Sequence, residues 1–174
     1  ELADKVRYLA TQARQPVVHY EHTDTGYNYR MSNLLAALGR AQLERLDDMV
    51  EQRKQTRQTY KDFFKDVPGV TVFHGENNDE DNNWLSAIIV DPEEAGWSAT
   101  ELGEFLRERN IESRPLWKPI HLQPVFAGAE AVATGSSQGL FEAGLTLPSG
   151  SALTEGQVEA VVAAIDAFLG ERSA

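Results

Sequence analysis

The sequence predicts an α/β fold, in which a mixed sheet packs on helices to form a small domain that follows one long helix. Two observations lead to this prediction. Apolar side chains recur at the helical period from about residue 32 to residue 65. After the break at Pro68-Gly69, strand-like runs and amphipathic segments follow in the order β-β-α-β-α-β-α. A helix of about 50 Å, at about 1.5 Å per residue, is longer than a compact small domain requires, so we expect it to connect two domains.

Each element has its own local signal. Residues 2–13 predict a short amphipathic helix, and the segment after Gln15-Pro16 is expected to be extended. Ser32 or Asn33 is a suitable N-cap for the long helix, and Thr154 is one for the last helix. We expect strands at 70–73, 84–90, 111–114 and 145–147, and helices at about 98–109, 136–143 and 154–169.

Composition and charge exclude several classes of function. None of the 174 residues is cysteine, so disulfides, thiolate zinc sites and a cysteine nucleophile are excluded. The formal net charge of −11 argues against nucleic acid as a partner, because such affinity comes from clustered Lys and Arg. No apolar run approaches the roughly 20 residues that span a bilayer, so we expect no membrane partner and a cytoplasmic protein. Since Glu1 already stands inside a helical pattern, we expect the chain to be a piece of a longer protein.

The turn before the long helix is the first candidate site. Asn28 lies four residues before the predicted helix start, and Arg30 lies two before it. The free N–H groups of a helix N-terminus favour an anion such as phosphate, which an Asn amide and an Arg guanidinium can also bind. The alternative is an ordinary helix-entry turn, in which Asn28 only satisfies backbone groups.

The proline-rich loop after the third predicted strand is the second candidate site, and Arg114 stands at its start. Three prolines stiffen the loop, so Trp117, Lys118 and His121 would be presented at low entropic cost. A cationic side chain can pair with a diphosphate, Trp can stack on a sugar or base, and His can hydrogen-bond a hydroxyl. The alternative is a braced surface loop that Trp117 anchors.

No metal site is expected. His19 and His22 could form a metal-binding pair, but no third ligand stands nearby at a convincing spacing. The acidic stretch 76–83 lacks the glycine and terminal glutamate of a calcium-binding loop, so we expect it to be solvated.

Four stretches of the chain carry recognisable motifs: His19-Tyr20-Glu21-His22, Gly26 to Ala37, Glu112 to Phe126, and Leu147 to Ser151. Together, and in this order, they closely resemble the DegT/StrS family of sugar-nucleotide aminotransferases. The resemblance covers essentially the whole chain. It is greatest to the branch that aminates C4 of UDP-linked 4-keto-6-deoxy-N-acetylhexosamines.

That resemblance implies the C-terminal part of a fold type I aminotransferase that uses pyridoxal 5′-phosphate (PLP), with glutamate as the usual amino donor. It implies that residues 1–31 end the large domain and face the cofactor. Residues 32–66 would form the interdomain helix, and residues 67–174 the small domain. The lysine that forms the internal aldimine would precede this region and Lys118 does not match it, so we expect no catalytic residue in the chain and no activity from the chain alone.

Individual residues carry roles over from the same resemblance. Asn28 is similar to the asparagine that reaches across a dimer interface to the PLP phosphate of the other subunit. Arg30 would lie in the same wall and is expected to bind the substrate. Arg114, Trp117 and His121 resemble positions in the loop that lines the nucleotide-sugar pocket. The implied assembly is a homodimer with shared active sites.

Two other interpretations stay open at this point. The chain could be a non-catalytic module that binds sugar nucleotides or a protein partner and retains the fold without the lysine. It could also belong to an aminotransferase that acts on a GDP- or dTDP-linked ketosugar.

Overall fold

The structure is a computed structural model that describes residues 1–19, 21–73 and 80–172. The chain divides into two compact units, Glu1–Leu46 and Asp47–Ala174. The acidic stretch 76–83 lies partly outside the described residues, and so does Tyr20. Each unit is described by itself.

The first unit contains helices α1 (Leu2–Ala10) and α2 (Asn33–Leu43). A tight turn follows α1, and a returning segment pairs with the end of that helix. The Tyr27 N–H donates to the Leu9 carbonyl at 2.7 Å, and the Tyr29 N–H donates to the Ala10 carbonyl at 3.1 Å. Residues 16–19, which were expected to be extended, form bends instead.

The predicted long helix is two helices in the structure. α2 ends at Leu43, and α3 runs from Leu46 to Phe64. Between them the Arg45 N–H donates to the carbonyl of Gln42 at 3.1 Å, three residues back rather than four. Apolar residues still recur at the helical period between α2 and α3. Only the pattern of backbone hydrogen bonds changes there. The prediction of one uninterrupted helix was therefore wrong.

The second unit contains a four-stranded sheet with strand order β1-β2-β4-β3. β2 pairs antiparallel with both β1 and β4, and β3 pairs antiparallel with β4. β2 and β3 therefore run parallel, as a connection through a helix favours, but β4 lies between them. For this reason every described pairing is antiparallel, where the sequence predicts a mixed sheet. The strands are β1 (Val70–Val72), β2 (Ser86–Val90), β3 (Arg114–Pro115) and β4 (Gly144–Leu147).

The helices of the second unit confirm most of the predicted boundaries. The Ser98 side chain accepts from the Glu101 N–H at 3.3 Å at the start of α5. The Thr154 hydroxyl accepts from the Gln157 N–H at 3.3 Å, and the Thr154 N–H donates to the Gln157 side chain at 2.9 Å, so the capping box forms at α7. The short helix α4 was not predicted. The helices are α4 (Pro92–Ala95), α5 (Ala99–Glu108), α6 (Ser136–Ala143) and α7 (Glu155–Arg172), with 3₁₀ turns at Ile120–Leu122 and Pro124–Phe126.

The core of the second unit lies between the sheet and helices α3, α5 and α7. Trp97 and Phe168 meet edge to face with ring centroids 5.2 Å apart. The prediction of an α/β fold is confirmed. In the described part of the chain, no helix is both long and apolar enough to cross a bilayer. The buried core includes Tyr60, Phe64, Ile88, Val90, Leu102, Leu106, Leu145, Leu147, Ile165 and Phe168.

Candidate cofactor and substrate sites

Asn28 and Arg30 line one open, mostly polar concavity of about 600 Å³ in the first unit. We call it the Asn28–Arg30 concavity. Its other walls come from the turn after α1, including Thr11, Gln12 and Arg14. An antiparallel bridge between Thr11 and Asn28 holds the two walls together. The structure therefore brings together the two residues that the sequence analysis selects before α2.

The chemistry of this concavity suits an anion that bears oxygen atoms. Neither the Asn28 amide nor the Arg30 guanidinium donates a hydrogen bond to another described residue, and both side chains are exposed. Two residues further on, the Ser32 side chain caps α2 by accepting from the Leu35 N–H at 3.3 Å. An amide donor and two guanidinium groups, from Arg14 and Arg30, fit the phosphate of a cofactor such as PLP.

A second concavity, of about 620 Å³, lies in the second unit and includes Arg114 in its wall. We call it the Arg53–Arg114 concavity. Trp84, Ser149 and Gln157 also line it. A neighbouring recess of about 580 Å³ shares residues 110–114 with it. Arg114 thus lines two neighbouring hollows at the edge of the sheet.

The three candidate residues of the proline-rich loop have different surroundings. Arg114 Nε donates to the Glu112 carboxylate at 2.9 Å, and Nη2 donates to the same oxygen at 2.5 Å. The Trp117 ring lies against Trp84, with centroids 5.9 Å apart and planes inclined by 32°. His121 stands in the 3₁₀ turn at Ile120–Leu122 and lines neither hollow. The structure therefore places Arg114 in the Arg53–Arg114 concavity and Trp117 beside its wall, but it does not bring His121 there.

Sequence reasoning missed Arg53 and Trp84. Arg53 lies on α3 among many polar residues, and its Nε is buried with no hydrogen-bond partner among the residues that the structure describes. Trp84 was assigned to the start of β2, but that strand begins at Ser86. A usable signal was the size of Trp84 directly after a run of polar residues, since a large indole there is either an anchor or a contact surface.

Buried side chains of α3 hold the loops that wall this concavity. Arg57, which is 6% exposed, donates to Asp81 at 2.7 Å, to the Asn83 side chain at 2.5 Å and to the Phe73 carbonyl at 2.6 Å. The hydrogen bond from Arg57, with a further one from the Asn83 N–H, lowers the pKa of the Asp81 carboxyl. These bonds fix the residues directly before Trp84.

A second buried group fixes the opposite wall. The Tyr60 O–H donates to the Pro148 carbonyl at 2.7 Å, and burial raises the pKa of this phenol. The Ser149 hydroxyl accepts from the Ser86 N–H at 3.1 Å. The motif Leu147 to Ser151 is therefore tied to both α3 and β2.

The two histidines of segment 19–22, His19 and His22, have separate partners. His19 Nε2 lies 3.3 Å from a Glu21 carboxylate oxygen, and His22 Nδ1 lies 2.9 Å from the Gln12 carbonyl. Among the residues that the structure describes, no three or more His, Asp or Glu side chains are grouped so as to hold a metal ion.

The family follows from comparison of the whole chain with known proteins. The model of the DegT/DnrJ/EryC1/StrS aminotransferase family matches residues 1–166. The chain belongs to this family. Aminotransferases of the DegT family depend on PLP.

Individual relatives agree with this assignment. EpsN of Bacillus subtilis, provisionally named a pyridoxal phosphate-dependent aminotransferase, is 43% identical over 163 residues, which are 91% of this chain and 41% of EpsN. GDP-perosamine synthase of Vibrio cholerae is 34% identical over 161 residues, which are 92% of this chain and 43% of that enzyme. The chain thus spans less than half the length of these relatives.

A solved aminotransferase structure has a similar fold. The crystal structure of the aminotransferase TlmJ from Streptoalloteichus hindustanus superposes with a TM-score of 0.81 at 23% identity. The superposition covers 99% of this chain and 46% of TlmJ. This likeness confirms that the chain has the fold of one part of a fold type I sugar aminotransferase.

Proposed function

We propose that this chain is the C-terminal part of a PLP-dependent aminotransferase that moves an amino group from glutamate to a UDP-linked 4-keto-6-deoxy sugar. The observation that carries the proposal is the Asn28–Arg30 concavity, in which a family motif supplies an amide and a guanidinium to one polar hollow. PLP supplies the electron sink that transamination needs. The residues of this chain bind and orient the cofactor and the substrate. The catalytic lysine belongs to the part of the full-length protein outside this chain.

In the first unit, Asn28 holds the phosphate of the cofactor, and Arg30, which lines the same concavity, binds the substrate. Antiparallel backbone contacts fix the segment that carries them, because Tyr27 and Tyr29 donate to carbonyls at the end of α1. A phosphate held by N–H donors on a fixed backbone cannot rotate freely, so the cofactor ring keeps one orientation. In the homodimer that we propose, Asn28 serves the active site of the other subunit.

In the second unit, Arg114 and Trp117 contact the nucleotide sugar at the edge of the sheet. Their positions around the Arg53–Arg114 concavity support this assignment. His121 could donate a hydrogen bond to the substrate only if the 3₁₀ turn at Ile120–Leu122 faces the bound nucleotide sugar in the complete enzyme. That role rests on the motif alone.

The identity of the nucleotide is the part of the proposal for which a specific alternative exists. Vibrio cholerae GDP-perosamine synthase, at 34% identity, favours a GDP-linked ketosugar instead. The resemblance to the UDP branch comes from several motifs together, and for that reason we place UDP first. A cytoplasmic location stays a prediction.

Transamination by the full-length protein tests the function. We expect conversion of a UDP-4-keto-6-deoxy sugar with glutamate to give 2-oxoglutarate and an amino sugar, detected by mass spectrometry. The corresponding GDP and dTDP ketosugars serve as competitors. Preferred turnover of the GDP substrate would replace the UDP assignment, and no turnover of any ketosugar would refute the function.

Asn28→Ala tests the cofactor role in the same protein. We expect PLP affinity to fall by about ten- to a hundredfold, since a hydrogen bond to a charged group is worth about 1.5–3 kcal/mol. Asn33→Ala is the matched control, because Asn33 is exposed at the first position of α2. Equal PLP affinity in the two variants, measured by absorbance titration, would remove Asn28 from the site.

A further inference from the structure

We propose that His22 is a positioning residue for the cofactor phosphate, because its ring holds the turn that walls the Asn28–Arg30 concavity. This inference rests on the proposed function, in which Asn28 binds that phosphate. It assigns a specific role to a side chain that the family resemblance leaves without one. The backbone of the turn, the bonds that hold it and its place in the concavity lead to this role.

The turn after α1 has an unfavourable backbone conformation. Gln12 has a φ of 67° and Ala13 a φ of 52°, in the left-handed region that residues with a side chain rarely adopt. Positive φ at two successive residues is the requirement of a type I′ turn, for which Gly and Asn are preferred. Backbone of this kind persists only where the surrounding structure holds it, and it is concentrated at functional sites.

Three hydrogen bonds hold the turn in this conformation. The Gln12 N–H donates to the Tyr27 carbonyl at 3.0 Å, and the Ala13 N–H donates to the Tyr8 carbonyl at 2.9 Å. The third bond comes from a side chain, since His22 Nδ1 lies 2.9 Å from the Gln12 carbonyl oxygen. A carbonyl oxygen only accepts, so Nδ1 carries the proton and the contact fixes the tautomer of the ring. Of the three bonds, the one from His22 can be removed by changing a side chain.

The same turn forms a wall of the concavity. Gln12 lines the concavity together with the residues on either side of the turn, Thr11 and Arg14. Thr11 forms an antiparallel bridge with Asn28, and Arg14 forms one with His22. His22 therefore holds the turn twice, through its backbone at Arg14 and through its ring at Gln12. A movement of the turn would displace the backbone with which Asn28 pairs.

Phosphate binding by Asn28 depends on where that wall lies. Hydrogen bonds to a charged oxygen weaken steeply when the donor angle departs from linear, so a shifted amide loses affinity. Binding groups are held within about 0.5 Å of the productive geometry by the residues that support them. His22 is not one of the described residues that line the concavity, so its effect passes through the turn to Asn28.

The test uses the full-length protein and measures its affinity for PLP and the near-UV circular dichroism of the bound cofactor. His22→Leu removes the donor and should weaken PLP binding about three- to tenfold, as loss of one neutral hydrogen bond does. His22→Asn places an amide N–H where Nδ1 stood and should restore both signals. The matched control is His19→Leu, which should change neither, since the exposed His19 contacts the Glu21 carboxylate.

Gln12→Gly tests whether His22 acts through the turn. Glycine adopts positive φ without strain and keeps the carbonyl that His22 binds, so the turn then depends less on the histidine. We expect His22→Leu to cost less PLP affinity in Gln12→Gly than in the parent protein, as coupled positions do in a double-mutant cycle. This comparison also serves if His22→Leu alone does not fold, since His22→Gln, with its N–H one bond further out, takes its place in both backgrounds.

Three results would overturn the inference: equal PLP affinity in His22→Leu and His19→Leu, no recovery in His22→Asn, or equal losses with and without Gln12→Gly. A purely structural histidine would give the first of these, with a lower unfolding temperature of the apoprotein alone. The proposed function is judged separately by turnover. If PLP affinity depends on His22 while the full-length protein converts no ketosugar, the function fails and the positioning role stands. Turnover of a ketosugar with PLP affinity that His22→Leu leaves unchanged refutes the positioning role alone.

Discussion

Gly26 determines whether the Asn28–Arg30 concavity can form. A Cβ at this position would overlap the Gln12 carbonyl carbon and the Ala13 nitrogen, and would lie 2.7 Å from Gln12 Cα. These are backbone atoms, so no side-chain rotation relieves the overlap. The close approach allows the segment that carries Asn28 to pair with the end of α1.

Gly26→Ala is therefore expected to destabilise the first unit by about 1–3 kcal/mol, as overpacking does elsewhere, and to weaken PLP binding by the full-length protein. Gly39→Ala is the matched control, since nothing lies within 4 Å of a Cβ at that position in α2. The control should stabilise the helix by about 0.5–1 kcal/mol, because alanine loses less entropy. Denaturant unfolding of both variants measures the two changes in stability. A stable Gly26→Ala chain that keeps its PLP affinity would contradict this account.

At the scale of elements, the segment before β2 depends on one ion pair. Asp81 accepts from the buried Arg57, and its pKa is lowered by that hydrogen bond and by the Asn83 N–H. A carboxyl whose pKa is lower in the folded state stabilises the fold above its unfolded pKa of about 3.9, and this contribution is lost as the pH falls through the lower folded value.

We expect the free energy of unfolding to fall between about pH 5 and pH 3 as this carboxyl and others protonate. Asp81→Asn should make that decrease less steep and lower stability at pH 7. Glu93→Gln is the control, since Glu93 is an exposed carboxyl in the first turn of α4. Unfolding curves at several pH values give the slopes, and equal slopes in Asp81→Asn and the parent chain would exclude this role.

Local signals were sufficient for most elements, and they also selected two residues, Asn28 and Arg30, that the structure places in one concavity. Ser98 and Thr154 cap the helices they were expected to cap, because side chain and backbone atoms three residues apart meet whatever the tertiary context. Asn28 and Arg30 meet in one concavity for a similar reason, since they are two residues apart on an extended segment. The antiparallel sheet was not accessible in this way, because the place of β4 depends on contacts between distant segments.

The helix break and Arg53 illustrate what the pattern of residues leaves out. No glycine or proline stands between Leu43 and Leu46, so periodicity continues where the hydrogen bonding changes. Arg53 looks like any solvated cation on α3, and only the packed structure reveals its buried Nε. The pairing of Trp84 with Trp117 also cannot be read from the sequence, because Trp117 lies on another loop.

At the scale of the whole molecule, α2 exposes more apolar surface than an isolated domain usually carries. Leu34 is 84% exposed, and the leucines that follow it are also largely exposed. A row of exposed leucines on one helix has the composition of a surface that packs against further protein. The exposed leucines of α2 are Leu34, Leu35, Leu38 and Leu43.

We expect the 174-residue chain to associate in a concentration-dependent way, with a mass above that of the monomer in light scattering. Leu35→Ser with Leu38→Ser should reduce this association without lowering the free energy of unfolding by more than about 1 kcal/mol, because exposed positions contribute little. Val125→Ser is the control, an exposed apolar residue of the second unit. A chain that stays monomeric at every concentration would show that the leucines of α2 need no partner.

The central place of β4 also affects how the chain reaches its fold. The bond from Tyr60 to the Pro148 carbonyl joins residues 88 positions apart, and β2 has no partner on one side until β4 arrives. Closing so long a loop costs entropy before any contact repays it, so such folds form slowly. During synthesis, β2 therefore keeps one edge unpaired until residues 144–147 have been made, and an unpaired strand edge is a site at which incomplete chains can aggregate.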